Sequence, residues 1–224
     1  MGKNTAQKLS MNIILLGVVS LLNDLSSEMI NPLLPFFITS LGGTGVAIGL
    51  IGGLRDSVAS IFQIFAGYIS DRTGKRKIFV YGGYLTSAVF KLMLFFSNIW
   101  YTALIFIGLE RLGKGLRTVP RDAIISESTL TQRGRGFGIH RAMDSLGAIF
   151  GSIIAFVLIW FFNVSFKNII LAAAFLSLLS LIPIHFVKEK KAKPKKTKLR
   201  IGLKKLPKNL KLFILISGVF AFAN

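Results

Sequence analysis

Two acids four residues apart, Asp24 and Glu28, lie inside a long apolar stretch together with Asn23, Ser26 and Ser27. At helical spacing the two carboxylates share one face. Their proton affinity there is set by the balance between desolvation and any guanidinium nearby. Such a pair can take up and release protons at physiological pH; it can also serve as the counter-ion of Arg55 or Arg111, and the two roles are compatible. A second apolar stretch carries Arg55 and Asp56, and a later one carries Glu110, Arg111, Lys114, Arg117, Arg121 and Asp122. Glu110, Lys114 and Arg117 follow 4/3 spacing on one helix face, with Arg111 beside Lys114 on the neighbouring face. A further stretch holds His140, Arg141 and Asp144 near one end. Ionisable groups in apolar surroundings are costly unless paired or wet, so such clustering points to a cavity through which charge is handled.

The elements that must position these residues are membrane spans. The chain has 224 residues, 52% hydrophobic and only 17% charged, and its mean hydropathy is +0.63. Its apolar residues fall in blocks of roughly twenty, the length that crosses a bilayer. This composition excludes a soluble globular enzyme, a disordered chain and a disulfide-stapled secreted domain; cysteine is absent. The expected class is an all-α polytopic membrane protein. Six spans are expected at about 11–38, 46–69, 78–97, 100–125, 137–162 and 168–187. The first is too long for a signal peptide and has no small-residue cleavage site. A seventh starts near Leu212, and its roughly twelve apolar residues would reach about 18 Å, short of a hydrocarbon core of ~30 Å. The expectation is therefore a chain that stops in mid-span, as a fragment or a truncated gene product. Three parts follow: a six-helix bundle over 1–187, a basic cytoplasmic loop over 188–211, and the start of a seventh helix over 212–224.

The net charge is +19, of which the segment 188–211, with twelve Lys/Arg and one acid, supplies +11. A short basic loop between apolar spans reflects cytoplasmic topology rather than a nucleic-acid partner. Basic residues alternate along the chain. Lys3 and Lys8, then Arg72, Lys75, Arg76 and Lys77, then Arg133 and Arg135 mark one side, while the turns near 39–45 and 97–100 carry no charge. The N-terminus and the 188–211 loop are thus both expected in the cytoplasm. Within the loop Leu199, Leu203, Leu206 and Leu210 recur at helical spacing, as in a helix lying on the membrane surface or in a plain solvated linker.

Spans one, two, four and five read as cavity-lining. Span three has only Lys91, near its outer end, where the stem can snorkel. Span six has only His185 at its inner edge, and both read as lipid-facing support. Two polar spans followed by an apolar one, twice over, is the hydropathy pattern of a three-plus-three repeat, with the site near the midplane. Six bases (Arg55, Arg111, Lys114, Arg117, Arg121, Arg141) balance six acids (Asp24, Glu28, Asp56, Glu110, Asp122, Asp144), so charge does not select an anionic, cationic or neutral substrate.

Between the second and third spans the sequence reads Gly67-Tyr-Ile-Ser-Asp71-Arg72-Thr-Gly74-Lys75-Arg76. It resembles the G-x-x-x-D-[RK]-x-G-[RK]-[RK] signature of the major facilitator superfamily at the same topological place. Arg111-Leu-Gly-Lys-Gly115 is similar to that family's R-x-x-x-G element. Gly147-Ala-Ile-Phe-Gly151-Ser152 offers a small-x-x-x-small packing face and resembles the family's antiporter motif. It carries Ser152 where Pro is expected and Ile153 and Ile154 where Gly residues would follow, which counts against antiport.

The resemblance implies the N-terminal six-helix half of a twelve-helix secondary transporter working by alternating access. Asp24, Glu28, Glu110 and Arg111 would carry proton coupling; Arg55, Asp56, Lys114 and Arg117 would line the substrate cavity. Gly67, Asp71, Arg72, Gly74, Lys75 and Arg76 would form a cytoplasmic gate latch, and Gly147 and Gly151 would pack helices. The implied partners are a small-molecule substrate, protons, the lipid bilayer, and a missing C-terminal half or partner bundle. A different reading is a non-transporting truncated protein or interaction subunit that pairs with another membrane protein. Neither an enzyme's nucleophile–base constellation nor a metal-ligand cluster or cofactor motif is recognisable, and no cofactor or metal is expected.

Overall fold

Helices make up all regular structure among the described residues, 10–129, 133–189 and 207–223, of the computed structural model. The first, α1 (Met11–Ile30), runs through a 3-10 turn (Asn31–Leu33) into α2 (Leu34–Ser40). Pro32 and Pro35 each fall at the start of their element, where the missing N–H has no partner to lose. The two prolines therefore tighten the path locally without breaking the span. The next helices are α3 (Gly45–Thr73), α4 (Arg76–Phe95), α5 (Trp100–Ser128) and α6 (Arg133–Trp160). Then come α7 (Phe166–Leu179), α8 (Leu181–Phe186) and α9 (Lys208–Ala223). Pro183 cannot donate to the carbonyl of Leu179, and the α7–α8 break falls there. The basic-loop residues 190–206, including Leu199, Leu203 and Leu206, lie outside the described residues, as do Lys3 and Lys8. Helix α9 begins four residues before the expected start of the seventh span.

Among the described residues, five segments are long and apolar enough to cross a bilayer: Met11–Ser40, Gly45–Thr73, Arg76–Phe95, Arg133–Trp160 and Phe166–Phe186. Helix α5 has the length of α3, but its run of charges from Glu110 to Asp122 removes it from that class on composition alone. Short turns join α2 to α3, α3 to α4, α4 to α5 and α6 to α7, so successive spans are antiparallel.

Helix α1 packs on α6 and α7, α5 packs on α3 and α4, and α4 closes against α7. Glycine lets the backbones approach. A Cβ on Gly113 would stand 2.6 Å from the Gly83 carbonyl oxygen, and one on Gly115 would stand 2.7 Å from the Ala59 oxygen. Without a hydrophobic force between helices in lipid, such close van der Waals packing is what holds them.

The interior has three layers. An apolar cluster built on Met29, Phe37, Ile51, Leu94, Ile107 and Ile170 fills the end nearest the 41–44 turn. Another, built on Leu16, Val80, Tyr84, Ile125 and Ile184, fills the end nearest the 74–75 turn. Between them lies a buried polar layer that includes Ser20, Asn23, Ser26, Ser87, Lys91, Glu110, Arg111, Arg117, His140 and Ser177. Helices α3 and α6 present the most apolar surface outward, including Leu50, Ile61, Phe65, Ile149, Ile153 and Phe156.

Two expectations change. Lys91 does not snorkel: it is 3% exposed and belongs to the polar layer. Spans three and six are therefore not plain lipid-facing support, since α4 and α7 supply buried polar groups at Ser87, Lys91 and Ser177. His140 of α6 is buried in the same layer.

Candidate functional site

The polar face of α1 organises the middle layer. Ser20, Asn23, Ser27 and Asn31 recur at three- and four-residue spacing and so point one way. Lys91 of α4 reaches this face: its Nζ donates to Ser27 Oγ (2.9 Å) and Ser26 Oγ (3.0 Å), with the Asn23 carbonyl and side-chain oxygens at 3.4 and 3.5 Å. All four acceptors are neutral. The opposite charge comes from α5, where Glu110 pairs with Arg111 at 2.9 Å, both side chains more than nine-tenths buried. Arg111 also donates to Asn31 Oδ1 (3.2 Å), and the Asn31 amide donates to Glu28 Oε1 (2.7 Å). Glu28, Asn31, Arg111 and Glu110 thus form one chain across α1 and α5. The expected contact between Glu28 and Arg111 runs through Asn31 instead of a direct ion pair.

This chain borders a small cleft whose polar end is Ser27, Asn31, Lys91, Glu110 and Arg111 and whose apolar wall includes Phe90 and Phe106. Glu110 Oε1 is buried without a hydrogen-bond partner among the described residues. Asn31 also borders a second, larger cavity of about 170 Å³, with Pro35, Ile51, Gly52 and Arg55. Arg55 thus stands across this second cavity from Asn31; the Asp56 side chain lies outside the described residues. Asp24 is half-buried and accepts from Asn23 at 3.4 Å. Lys114 is exposed. Arg117, by contrast, is 3% exposed, bonded to Ser87 Oγ (2.5 Å) and stacked over the Tyr84 ring at 4.3 Å. Glu110, Lys114 and Arg117 keep the expected 4/3 face on one unbroken helix, with Glu110 and Arg117 buried and Lys114 exposed.

The signature segment forms a knot at the other end. Gly74 ends α3 with φ +68°, a left-handed conformation open to glycine, and its N–H bonds the Ser70 carbonyl at 2.9 Å. The reversed chain then places Arg76 beside Asp71 at 2.9 Å, and Arg76 also pairs with Glu127 at the end of α5. The Arg76 backbone N–H donates to Glu189 Oε1 (2.5 Å), and Lys77 Nζ donates to the carbonyls of His185 (2.8 Å) and Val187 (2.7 Å). The Asn12 amide closes the same end, donating to the Lys188 carbonyl (2.7 Å) and accepting from the Lys188 N–H (3.0 Å). Arg72 and Lys75 are exposed. Gly67 faces Val119 of α5, 2.8 Å from where its Cβ would stand. On α6, Gly147 and Gly151 abut the carbonyl oxygens of Leu21 and Leu25.

Asn31, Ser20, Tyr84 and Lys91 were not recognisable as site members from spacing. Asn31 stands three residues beyond Glu28 and one before Pro32, and that proximity was the only available signal.

A sequence model of the Major Facilitator Superfamily matches residues 16–224. An uncharacterized MFS-type transporter of Methanocaldococcus jannaschii is 54% identical over 220 residues, covering 97% of this chain and 55% of that protein. The multidrug resistance protein MdtH of Yersinia enterocolitica is 35% identical over 119 residues, covering 53% of this chain and 29% of MdtH. Among solved structures, the peptide transporter POT in complex with sulfate superposes with TM-score 0.72 at 17% identity, over 95% of this chain and 44% of that one. A bacterial homologue of the human lysosomal transporter Spinster gives TM-score 0.68 at 15% identity, over 91% and 48%. The chain spans about half the length of the archaeal relative. With its apolar helices and buried polar layer, this multi-pass membrane chain belongs to the Major Facilitator Superfamily.

Proposed function

We propose that the chain forms the N-terminal half of a proton-coupled secondary transporter that moves a small solute by alternating access. The observation that carries this reading is the buried polar layer, with its Glu110–Arg111 pair and Lys91, held between two apolar clusters in a chain of this family. In this reading residues 1–187 form a six-helix, three-plus-three bundle with its N-terminus in the cytoplasm. Residues 188–211 are the loop to the second half, and 212–224 begin helix seven. Asp24, Glu28, Glu110 and Arg111 carry protons, while Arg55, Asp56, Lys114 and Arg117 face substrate. Gly67, Asp71, Arg72, Gly74, Lys75 and Arg76 latch the cytoplasmic side, and Gly147 and Gly151 seat α6 on α1.

Lys114 supports this reading by its exposure. It leaves the bundle interior on the same helix that holds the buried pair, where a second wall would enclose it. The outward apolar faces of α3 and α6 also favour a second reading, an interaction subunit that pairs with another membrane protein.

The test is flux. Proteoliposomes would contain the chain co-expressed with the complementary half of the archaeal relative, carry an internal pH dye and be challenged with drug-like cations, anions and peptides. Proton movement coupled to one of these classes is expected. Binding between the halves with no flux of any class would favour the interaction subunit.

A further inference from the structure

A second polar cluster stands apart from the Glu110–Arg111 pair. Ser20 Oγ on α1 meets three groups: Arg121 Nη1 from α5 at 3.1 Å, Tyr84 Oη from α4 at 3.1 Å, and His140 Nε2 from α6 at 3.0 Å. The other ring nitrogen, His140 Nδ1, faces Asp144 Oδ2 at 3.5 Å. His140 and Asp144 are both more than nine-tenths buried, and Asp144 Oδ1 has no hydrogen-bond partner among the described residues. The charged groups around Asp144 are Arg121 from α5, Asp24 from α1, and Arg141 on α6 itself, whose Nη1 lies 3.9 Å away on an exposed side chain.

With a neutral imidazole ring, hydrogen-bond accounting leaves this cluster two arrangements. A hydroxyl has one donor and two acceptor sites, and a guanidinium only donates. With Arg121 donating to Ser20, one of Tyr84 and His140 must donate to Ser20 and the other must accept from it. In the first arrangement Tyr84 donates, Ser20 donates to Nε2, and the ring's single proton on Nδ1 points at an ionised Asp144. In the second, Nε2–H donates to Ser20, Ser20 turns to Tyr84, and a protonated Asp144 donates to the bare Nδ1. The second holds one proton more than the first. On uptake, the Nδ1 proton ends on Asp144, Nε2 gains a proton through Ser20, and Ser20 and Tyr84 each keep one hydroxyl proton.

We propose that Asp144 is a proton-binding carboxylate whose occupancy is relayed by a tautomer switch of His140 to Ser20 and Tyr84, joining α6 to α1 and α4. The proposal rests on the transport reading for its purpose, but its chemistry is independent of it. Because the Tyr84 ring also stacks on Arg117, the reversal at Ser20 reaches the helix that carries Glu110.

The chain has two histidines, so nitrogen-15 NMR of the histidine-labelled full chain in lipid reads them directly, with His185→Gln giving the assignment. His140 is expected as the Nδ1–H tautomer at alkaline pH and as the Nε2–H tautomer on acidification across roughly pH 8 to 4. Asp144→Asn, whose amide cannot take up a proton and can either accept from Nδ1–H or donate to a bare Nδ1, should abolish the switch and leave His140 in one tautomer at every pH. Infrared difference spectra of the unmodified chain with carbon-13 aspartate need no variant and should show an aspartic carbonyl band rising with the same midpoint. An Nε2–H ring at alkaline pH, a switch that persists in Asp144→Asn, or a tautomer change without the carbonyl band overturns the proposal. A switch without flux leaves this proton site standing and removes the transport reading. Proton-driven flux with a fixed tautomer removes this site alone.

Discussion

Glu110 is the single anion of a buried trio that also contains Arg111 and Lys91, and neutralising it should be more damaging than neutralising Arg111. Arg111 lies 2.9 Å from Glu110 with both side chains under 8% exposed, and Lys91 borders the same cavity. Breaking a buried pair by removing one partner costs about 3–5 kcal/mol, because the other charge is left uncompensated. Glu110→Gln leaves two cations and no anion, which places it at the top of that range, about 5 kcal/mol. Arg111→Met leaves Glu110 lining the same cavity as Lys91, whose opposite charge still compensates it without a direct ion pair, so its cost is expected at about 2 kcal/mol or less. The double variant removes both charges and leaves Lys91 among its hydroxyl acceptors, so it should be more stable than Glu110→Gln alone. The coupling would then be about 2–3 kcal/mol. The assay is reversible unfolding in mixed detergent micelles with rising SDS, followed by the fluorescence of Trp100 and Trp160. An Arg111→Met variant as unstable as Glu110→Gln would refute the shared role of Lys91 and reduce the trio to an ordinary pair.

Other outcomes are within reach of the same micelle assay. Gly147→Val should destabilise the chain by about 3 kcal/mol or more by forcing α6 from the Leu21 carbonyl. Gly108→Ala, with nothing within 4 Å of its new methyl, should be neutral or stabilise by up to about 1 kcal/mol. Gly74→Ala should cost about 1–2 kcal/mol, because φ +68° is then held by a residue with a Cβ. Arg76→Ala should loosen the turn between α3 and α4 from the end of α5 by removing the guanidinium from Asp71 and Glu127, read as faster protease cleavage at that turn with the helical circular dichroism unchanged. In a complete transporter, Asp24→Asn should abolish uphill movement while leaving downhill exchange; retained uphill transport would remove Asp24 from the coupling set.

Much of the helical layout was legible because apolar blocks of span length have few other folds available, and charged or glycine-containing turns mark their ends. Gly74 was readable as a turn because Asp71 and Arg76 flank it, and the left-handed φ follows. The charged residues of α1 and α5 were also readable as a cluster. Their pairing was not. Spacing along a helix gives faces but not which neighbour covers them, so the burial of Arg117 beside an exposed Lys114 was not legible. Lys91 was misread for a related reason: a lone lysine near a span end has a snorkelling explanation, and only tertiary packing reveals three hydroxyl- or amide-bearing residues of α1 waiting for it. Asn31, Ser20 and Tyr84 are uncharged and common in spans, so they gave no signal until they were found bridging charged groups.

The polar face of α1 also sets a schedule for making the protein. Ser26 donates to the Ala173 carbonyl at 2.6 Å, and Asn23 accepts from Ser177 at 3.2 Å, across 147 and 154 residues of chain. At about 5–20 residues per second, a ribosome reaches those partners roughly 8–30 s after it has delivered α1. Lys91 is synthesised in between and satisfies three of the same residues. Helix α1 thus enters the membrane carrying polar groups whose last partners do not yet exist. The insertion machinery, or the half-made neighbours α4 and α5, must shelter them from lipid until α7 arrives.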